Sequence, residues 1–190
     1  MLAVVVLAAS CGRQSDARTG DPDGGSDGYA LEAIRPAPAF ELETLEGDSL
    51  TLASLDSVPV ILLNFWASWC GPCKIEIPDL MALDETYGPE GFMVLGVTVN
   101  DLPRDSREFA AEVGMSYPSV IGTPRMLEAY QLSPWLPTSL LVKDGTIVEE
   151  WVGPRSKEEF EYGIKVALGL APAAADLMAD EPAAQGGDGR

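Results

Sequence analysis

Apolar residues within residues 35–170 alternate between continuous runs and helical spacing. The runs at residues 58–66 and 92–99 are nearly all apolar, which is typical of strands buried on both faces of a sheet. Between them, residues 75–87 carry apolar side chains at helical spacing, and the Gly88-Pro89 pair ends that pattern. A buried strand, a helix and a second buried strand in this order indicate an α/β fold.

Weaker signals surround this unit. Residues 40–42 and 49–52 alternate like a small hairpin, and residues 139–142 and 146–152 flank an Asp144-Gly145 turn. The remaining predicted elements are a helix from an Asp105/Glu108 capping box to Val113, a strand at residues 119–121, a helical piece at residues 126–130, and a helix from a Ser156/Glu159 capping box to Leu170. We therefore expect a central mixed β-sheet flanked by helices.

Both ends of the chain lack this pattern. Residues 2–9 form an apolar run too short to cross a bilayer, which needs roughly 20 apolar residues, and the run suits a signal peptide. The segment ending in Cys11 resembles the lipobox of bacterial lipoproteins, whose cysteine carries the lipid; the alternatives are an incidental cysteine and a misplaced start. The predicted organisation is a lipoprotein-type signal peptide at residues 1–10, a flexible Gly-, Asp- and Ser-rich linker at 11–34, a folded domain at 35–170 and a disordered tail at 171–190.

Charge and composition exclude several classes of function. The 190 residues include 12 Lys and Arg against 30 Asp and Glu, a formal net charge of −18, and no histidine. Without imidazole, Ser-His-Asp and Cys-His catalysis and His-containing metal sites are excluded. The shortage of basic residues argues against a nucleic-acid partner. Residues 35–170 hold 9 basic and 21 acidic side chains, so most of the negative charge belongs to the folded domain. We expect these acidic side chains to form a solvated surface that favours a basic partner.

Two of the three cysteines form the motif Cys70-Gly71-Pro72-Cys73, between a predicted strand and a predicted helix. Free N–H groups and the positive end of the helix dipole favour a thiolate at Cys70. Cys73, one turn later, is placed to attack a mixed disulfide and release a partner. The alternatives are a structural disulfide, which gains little from closing so short a loop, and half of a metal site, for which further ligands are lacking. The motif predicts a redox-active disulfide, with no metal or other cofactor.

Residues 64–74 and 136–145, together with Pro78, resemble the active-site turn, the cis-proline segment and the helix-kinking proline of thioredoxin. The hairpin before residue 58 and the extra stretch at residues 102–122 are similar to the N-terminal extension and the helix–strand insertion of the TlpA/ResA-like branch of that family. The resemblance implies a thioredoxin-like fold with these two additions.

The resemblance also assigns site residues. Glu76 matches an acidic residue that the branch carries near its disulfide, and Asn64 stands where thioredoxin has a buried Asp. Glu76 is thereby implied to assist proton transfer at the second thiol; the alternative is an exposed first-turn residue that interacts with the helix dipole. Pro137 is implied to be cis and to face the disulfide; the alternative is an ordinary trans loop proline. The residues expected to contact substrate are Trp69, Gly71, Pro72, Leu136 and Thr138.

The function implied by these features is that of a membrane-tethered, extracytoplasmic thiol–disulfide oxidoreductase. It is expected to reduce disulfides of envelope proteins, apocytochrome c among them, to be recharged by a membrane electron-donor protein, and to be held at the membrane through lipid on Cys11. A peroxiredoxin-like antioxidant enzyme is one alternative, although the residues Ser68 and Trp69 before Cys70 do not provide the Thr expected near a peroxidatic cysteine. A non-enzymatic lipoprotein binding module is the other.

Overall fold

The computed structural model describes residues 31–171. The strands are β1 (Arg35–Pro36), β2 (Glu41–Glu43), β3 (Ser49–Thr51), β4 (Val60–Trp66), β5 (Phe92–Thr98), β6 (Ser119–Ile121), β7 (Thr138–Lys143) and β8 (Thr146–Val152). The helices are α1 (Gly71–Tyr87), α2 (Pro103–Val113), α3 (Pro124–Ala129) and α4 (Lys157–Ala167), with short 3-10 turns at Leu52–Leu55 and Gly88–Glu90. None of the helices within the described range has both the length and the apolar character that crossing a membrane requires.

Six of the strands in the described part of the chain form one mixed sheet in the order β1-β8-β7-β4-β5-β6, and β2 pairs with β3 in a separate hairpin. The strand β4 is parallel to β5 and antiparallel to β7. All seven of its residues are buried, because helices cover the sheet on both faces. This double burial explains why β4 is a continuous apolar run in the sequence.

Side chains along β4 alternate between two hydrophobic clusters, one on each face of the sheet. Leu62 belongs to the cluster that includes Ile77 of α1 and Phe160 of α4. Leu63, the next residue, belongs to the cluster that includes Met126 of α3. The sheet is therefore the middle layer of an α/β sandwich, and α1 packs on the same face as Leu62, against β5.

The predicted N-terminal hairpin and the helix–strand insertion are both present. The hairpin consists of β2 and β3, and Thr44 at its turn makes a β-bridge to Val120 of β6. The insertion consists of α2 and β6, and β6 extends the sheet by pairing in parallel with β5. The two additions thus contact each other at one edge of the molecule.

The starts of two helices test the capping predictions. At α4 the capping box is confirmed: Ser156 Oγ accepts from the Glu159 backbone N–H (3.3 Å), and the Glu159 carboxylate accepts from the Ser156 N–H (2.9 Å). At α2 the predicted Asp105 cap is wrong, since the helix begins at Pro103 and Asp105 lies inside its first turn. Proline has no N–H to satisfy and fits the first helical position, so the N-cap is Leu102 and the helix starts three residues earlier than predicted.

The beginning of the described chain lies against the sheet. Leu31 packs on the core, and the Ile34 N–H donates to the Ile147 carbonyl (2.9 Å). Arg35 donates to the Glu150 carboxylate (3.2 Å) and to the Tyr130 carbonyl (2.9 Å). The last residues of the predicted linker are therefore part of the domain. The predicted signal peptide, Cys11 and the tail beyond residue 171 lie outside the described residues.

Candidate active site

Cys70 and Cys73 form a disulfide at the start of α1, with their Cα atoms 5.3 Å apart. Cys70 is the N-cap residue, and its Sγ accepts a hydrogen bond from the Cys73 backbone N–H at 3.2 Å. Both cysteines are buried, with 4% and 1% of their surface exposed. A sulfur at this position faces the unpaired N–H groups and the positive end of the helix dipole, which stabilise a thiolate once the disulfide is reduced.

The turn before the disulfide presents an exposed surface. The Cys70 N–H donates to the Ala67 carbonyl (3.0 Å), which closes the turn. Trp69 within it is 60% exposed, while its indole N–H donates to the Asn100 carbonyl (3.0 Å). Gly71 and Pro72, the first two residues of α1, are also exposed. These three predicted contact residues therefore lie together on the solvent side of the cysteine pair.

Glu76 is buried, with 3% of its surface exposed, one helical turn after Cys73. The alternative of an exposed first-turn residue is therefore wrong. Its carboxylate accepts from the Asn64 side-chain amide (2.9 Å) and from the Arg155 backbone N–H (3.1 Å). Burial raises the pKa of Glu76 from 4.5 to about 7, while the hydrogen bonds from Arg155 and Asn64 limit the rise.

Asn64 connects Glu76 to the sheet. Its amide group donates to Glu76 on α1 and to the Ser139 hydroxyl on β7 (3.0 Å), so one side chain of β4 links three elements. The sequence shows an amide where thioredoxin has a carboxyl group, but not that the amide donates to Glu76. Arg155 binds Glu76 through its backbone N–H, so the identity of the Arg155 side chain gives no sign of this bond.

The segment before β7 reaches the same end of the sheet. The Leu136–Pro137 peptide bond is cis, and the carbonyl of the buried Pro137 accepts from the Gly153 N–H (2.8 Å). Thr138, the next residue, pairs with Phe65 of β4, the strand that leads to Cys70. Topology thus brings Pro137 to the end of the sheet that carries the disulfide, with half-buried Leu136 beside it.

The expectation that Thr138 contacts substrate is corrected. Only 1% of its surface is exposed, and its hydroxyl donates to the Trp135 carbonyl (2.8 Å). Its backbone lies in β7 between two paired strands, so it is not free to pair with a substrate. The exposed side chain of this segment is instead Trp135, which is 71% exposed.

A disulfide at the N-terminus of the helix that follows a central strand, with a cis-proline leading into the neighbouring strand, defines a thioredoxin-fold thiol–disulfide protein. The chain belongs to the AhpC/TSA family, which matches residues 34–150. It is 31% identical over 142 residues to the thiol-disulfide oxidoreductase ResA of Bacillus anthracis, covering 74% of this chain and 81% of the relative.

Solved structures agree with this assignment. A thiol:disulfide interchange protein of the thioredoxin family from Chlorobium tepidum superposes with a TM-score of 0.66 at 33% identity, covering 73% of this chain and 99% of that protein. A secreted thiol-disulfide isomerase from Corynebacterium glutamicum gives a TM-score of 0.65 at 26% identity, covering 82% and 97%. The predicted thioredoxin-like fold is confirmed, and the chain is a ResA-like thiol–disulfide oxidoreductase whose substrates are proteins that contain disulfides.

Proposed function

We propose that this oxidoreductase acts outside the cytoplasm as a reductant, with Cys70 as the attacking thiolate and Cys73 as the resolving thiol. The observation that carries the assignment of roles is the N-cap position of Cys70, whose Sγ already accepts the Cys73 N–H. A helix N-terminus lowers the pKa of a thiol and so makes it the stronger nucleophile near neutral pH.

The reaction proceeds in two exchanges. The Cys70 thiolate attacks one sulfur of the substrate disulfide, forming a Cys70–substrate bond and releasing the other substrate sulfur as a thiolate. The Cys73 thiolate then attacks Cys70 Sγ, which releases the second substrate sulfur and forms the Cys70–Cys73 disulfide. Two electrons have passed to the substrate, and a membrane electron-donor protein returns two electrons to the pair.

Glu76 is proposed to assist proton transfer to or from the Cys73 thiol. Its pKa of about 7 lets it exchange protons near neutral pH, and it lies one helical turn from Cys73. When it is ionised, the Glu76 carboxylate repels a thiolate on Cys73. This repulsion offsets part of the stabilisation that the helix N-terminus gives the reduced pair, and so favours the oxidised pair, which is the property of a reductant.

The proposed location is the outer side of the cytoplasmic membrane, with lipid on Cys11 as the anchor. The lipobox-like segment and the Gly-rich stretch after it support this location, as does the secreted relative. Apocytochrome c is one proposed substrate among envelope proteins with disulfides. A Cys11→Ala variant is expected to leave the membrane fraction while keeping its activity in solution; retention in the membrane fraction would contradict the lipid anchor.

Trapping tests the roles of the two cysteines. Cys73→Ser protein, expressed in its native envelope, is expected to accumulate mixed disulfides through Cys70 that a reducing agent releases, because the resolving thiol is missing. The matched Cys70→Ser variant is expected to trap nothing and to lose the reduction of a protein disulfide. Trapping through Cys73 in the Cys70→Ser variant would reverse the two roles.

The potential of the pair tests the direction. Thioredoxin lies near about −270 mV and a strong oxidase of this fold near about −120 mV. We expect a value near the thioredoxin end, and one above about −150 mV would contradict the proposed reductant. Rapid consumption of peroxide by the reduced protein, without protein disulfide reduction, would instead favour the peroxiredoxin-like alternative. A Cys70→Ser variant that still performed the cellular role would favour a binding module.

A further inference from the structure

Asp101, in the loop between β5 and α2, accepts two hydrogen bonds from the turn that carries Cys70. Its carboxylate accepts from the Ser68 backbone N–H at 2.7 Å and from the Ser68 hydroxyl at 3.0 Å, one bond to each oxygen. Ser68 lies in the Ala67–Cys70 turn, two residues before the nucleophile. Hydrogen bonds to a charged group are stronger than those between neutral groups. Because the two oxygens of Asp101 accept from both donors of Ser68, these bonds fix the orientation of that turn.

A third bond joins the same loop to the exposed tryptophan. The Trp69 indole N–H donates to the carbonyl of Asn100, the residue before Asp101. Asn100 has φ of 52°, a left-handed conformation that Asn adopts more readily than most residues. The Asp101 side chain therefore holds Ser68, and the backbone carbonyl of the preceding residue, Asn100, holds Trp69.

The loop is itself anchored in the protein interior. Asp101 also accepts from the hydroxyl of Ser106 on α2 (2.9 Å). Ser106 is completely buried and lies 2.7 Å from the hydroxyl of Thr98 at the end of β5. The active-site turn is therefore tied, through one carboxylate, to both the central sheet and the first turn of the inserted helix.

We propose that Asp101 is a positioning residue for protein substrates: it holds the Ser68–Cys70 turn so that the exposed Trp69 side chain is fixed in position beside Cys70 Sγ. This inference rests on the proposed function, in which Cys70 attacks and Trp69 contacts the substrate. It also assigns a role to the inserted helix, whose first turn supports the loop. Preorganising a surface lowers the entropy lost when a partner binds.

The proposal separates protein substrates from small ones. A protein disulfide must fit the Trp69 surface while Cys70 Sγ reaches its sulfur. A small disulfide needs only Cys70 Sγ, which is held independently by the Cys73 N–H and the start of α1. Loosening the turn should therefore raise KM for protein disulfides and leave exchange with a small disulfide nearly unchanged.

The test compares Asp101→Asn with Asp105→Asn. Both substitutions remove one negative charge close to the start of α2, but of the two carboxylates only that of Asp101 accepts hydrogen bonds from Ser68. For Asp101→Asn we expect kcat/KM with a protein disulfide to fall by about tenfold, mainly through KM, since an amide cannot accept both Ser68 bonds. Exchange with a small aromatic disulfide should change by about twofold or less, and Asp105→Asn should resemble the wild type with both substrates.

Tryptophan fluorescence gives a second readout. The emission assigned to Trp69, by difference from a Trp69→Phe protein, is expected to change in Asp101→Asn and to stay unchanged in Asp105→Asn. If Asp101→Asn does not fold, Ser68→Ala removes only the hydroxyl bond and is expected to show the same pattern with a smaller loss.

Equal effects of Asp101→Asn and Asp105→Asn, or an equal loss with protein and small disulfides, would overturn the inference. If only Ser68→Ala can be measured, an equal loss with protein and small disulfides in that variant would likewise overturn the inference. Failure of the wild-type protein to reduce any protein disulfide would instead overturn the proposed function, so the two failures are distinguishable.

Discussion

At Glu76, two hydrogen bonds offset only part of the cost of burying a carboxylate. The donors are the Asn64 side chain and the Arg155 backbone, and the pKa still rises to about 7. The group is therefore present in both protonation states near neutral pH. A carboxyl group on the cysteine-bearing helix that titrates in this range can exchange a proton with a thiol without a large energetic step.

The raised pKa predicts how stability depends on pH. Unfolded, Glu76 ionises near 4.5, whereas in the folded protein it keeps its proton up to about 7. The folded state thus binds more protons in this window, so the Glu76 contribution to stability is lost as pH rises from about 4.5 to about 7, by on the order of 3 kcal/mol.

Chemical unfolding of the oxidised protein and of Glu76→Gln, at several pH values, measures this contribution. Glutamine stays neutral, so all other titrating groups cancel in the difference between the two proteins. We expect the stability of the wild type relative to Glu76→Gln to fall between about pH 4.5 and pH 7. A difference that is independent of pH would show that the pKa of Glu76 is not raised.

Among the elements, α4 connects helix capping to the site. Its capping box is formed by Ser156 and Glu159, and the residue just before it, Arg155, supplies the N–H that Glu76 accepts. Phe160 on the same helix packs edge-on against Trp151 of β8. The start of α4 therefore positions a backbone donor for a buried carboxylate in another helix.

Removing the cap should lower stability. Ser156→Ala loses the hydroxyl that accepts the Glu159 N–H, and we expect the free energy of unfolding to fall by about 1 kcal/mol. Urea unfolding measures this change. Ser116→Ala, at an exposed position just after α2, serves as the control and should change stability by about 0.5 kcal/mol or less. Equal values for the two variants would contradict a role for the cap.

The element predictions also show where sequence signals suffice. The box at α4 was predictable because both of its residues are local and nothing competes with them. The start of α2 was not predictable in this way, because Pro103 takes the first helical position and the Asp101 carboxylate accepts the Leu102 N–H. The Asp105/Glu108 spacing gives no sign of either. Asp101 could have been suspected as an acidic residue just before a helix that begins with proline, but its contact with Ser68 depends on how two loops meet.

For the whole molecule, the net charge of −18 is the dominant electrostatic feature. Ion pairs within the protein, such as the exposed Arg104–Glu108 pair, are already counted in this net charge and leave it unchanged. The long-range field therefore attracts cationic partners and repels anionic ones, over a distance that salt shortens from about 30 Å at about 0.01 M to about 8 Å at about 0.15 M.

This field predicts a salt dependence of the reaction. With a basic protein disulfide as substrate, the second-order rate is expected to fall by about tenfold as ionic strength rises across this range. The same substrate, succinylated to reverse its charge, should react more slowly at low salt and speed up as salt is added. Rapid-mixing fluorescence measures both rates, and identical salt responses would show that the acidic surface does not steer substrates.

Sequence patterns alone were enough to predict the order of the strands and helices from β2 onwards, the disulfide-forming cysteine pair and the class of enzyme, but not the two-residue strand β1. These features depend on local patterns: apolar runs, capping residues, and a motif whose chemistry follows from the start of a helix. Packing of the folded chain is what buries Glu76, encloses Thr138 and brings Asp101 to the active-site turn. The partners of Glu76 lie 12 and 79 residues away in sequence, and those of Asp101 on Ser68 lie 33 away. Desolvation and hydrogen bonding over such separations arise when elements pack together, and so they are properties of the fold rather than of any segment.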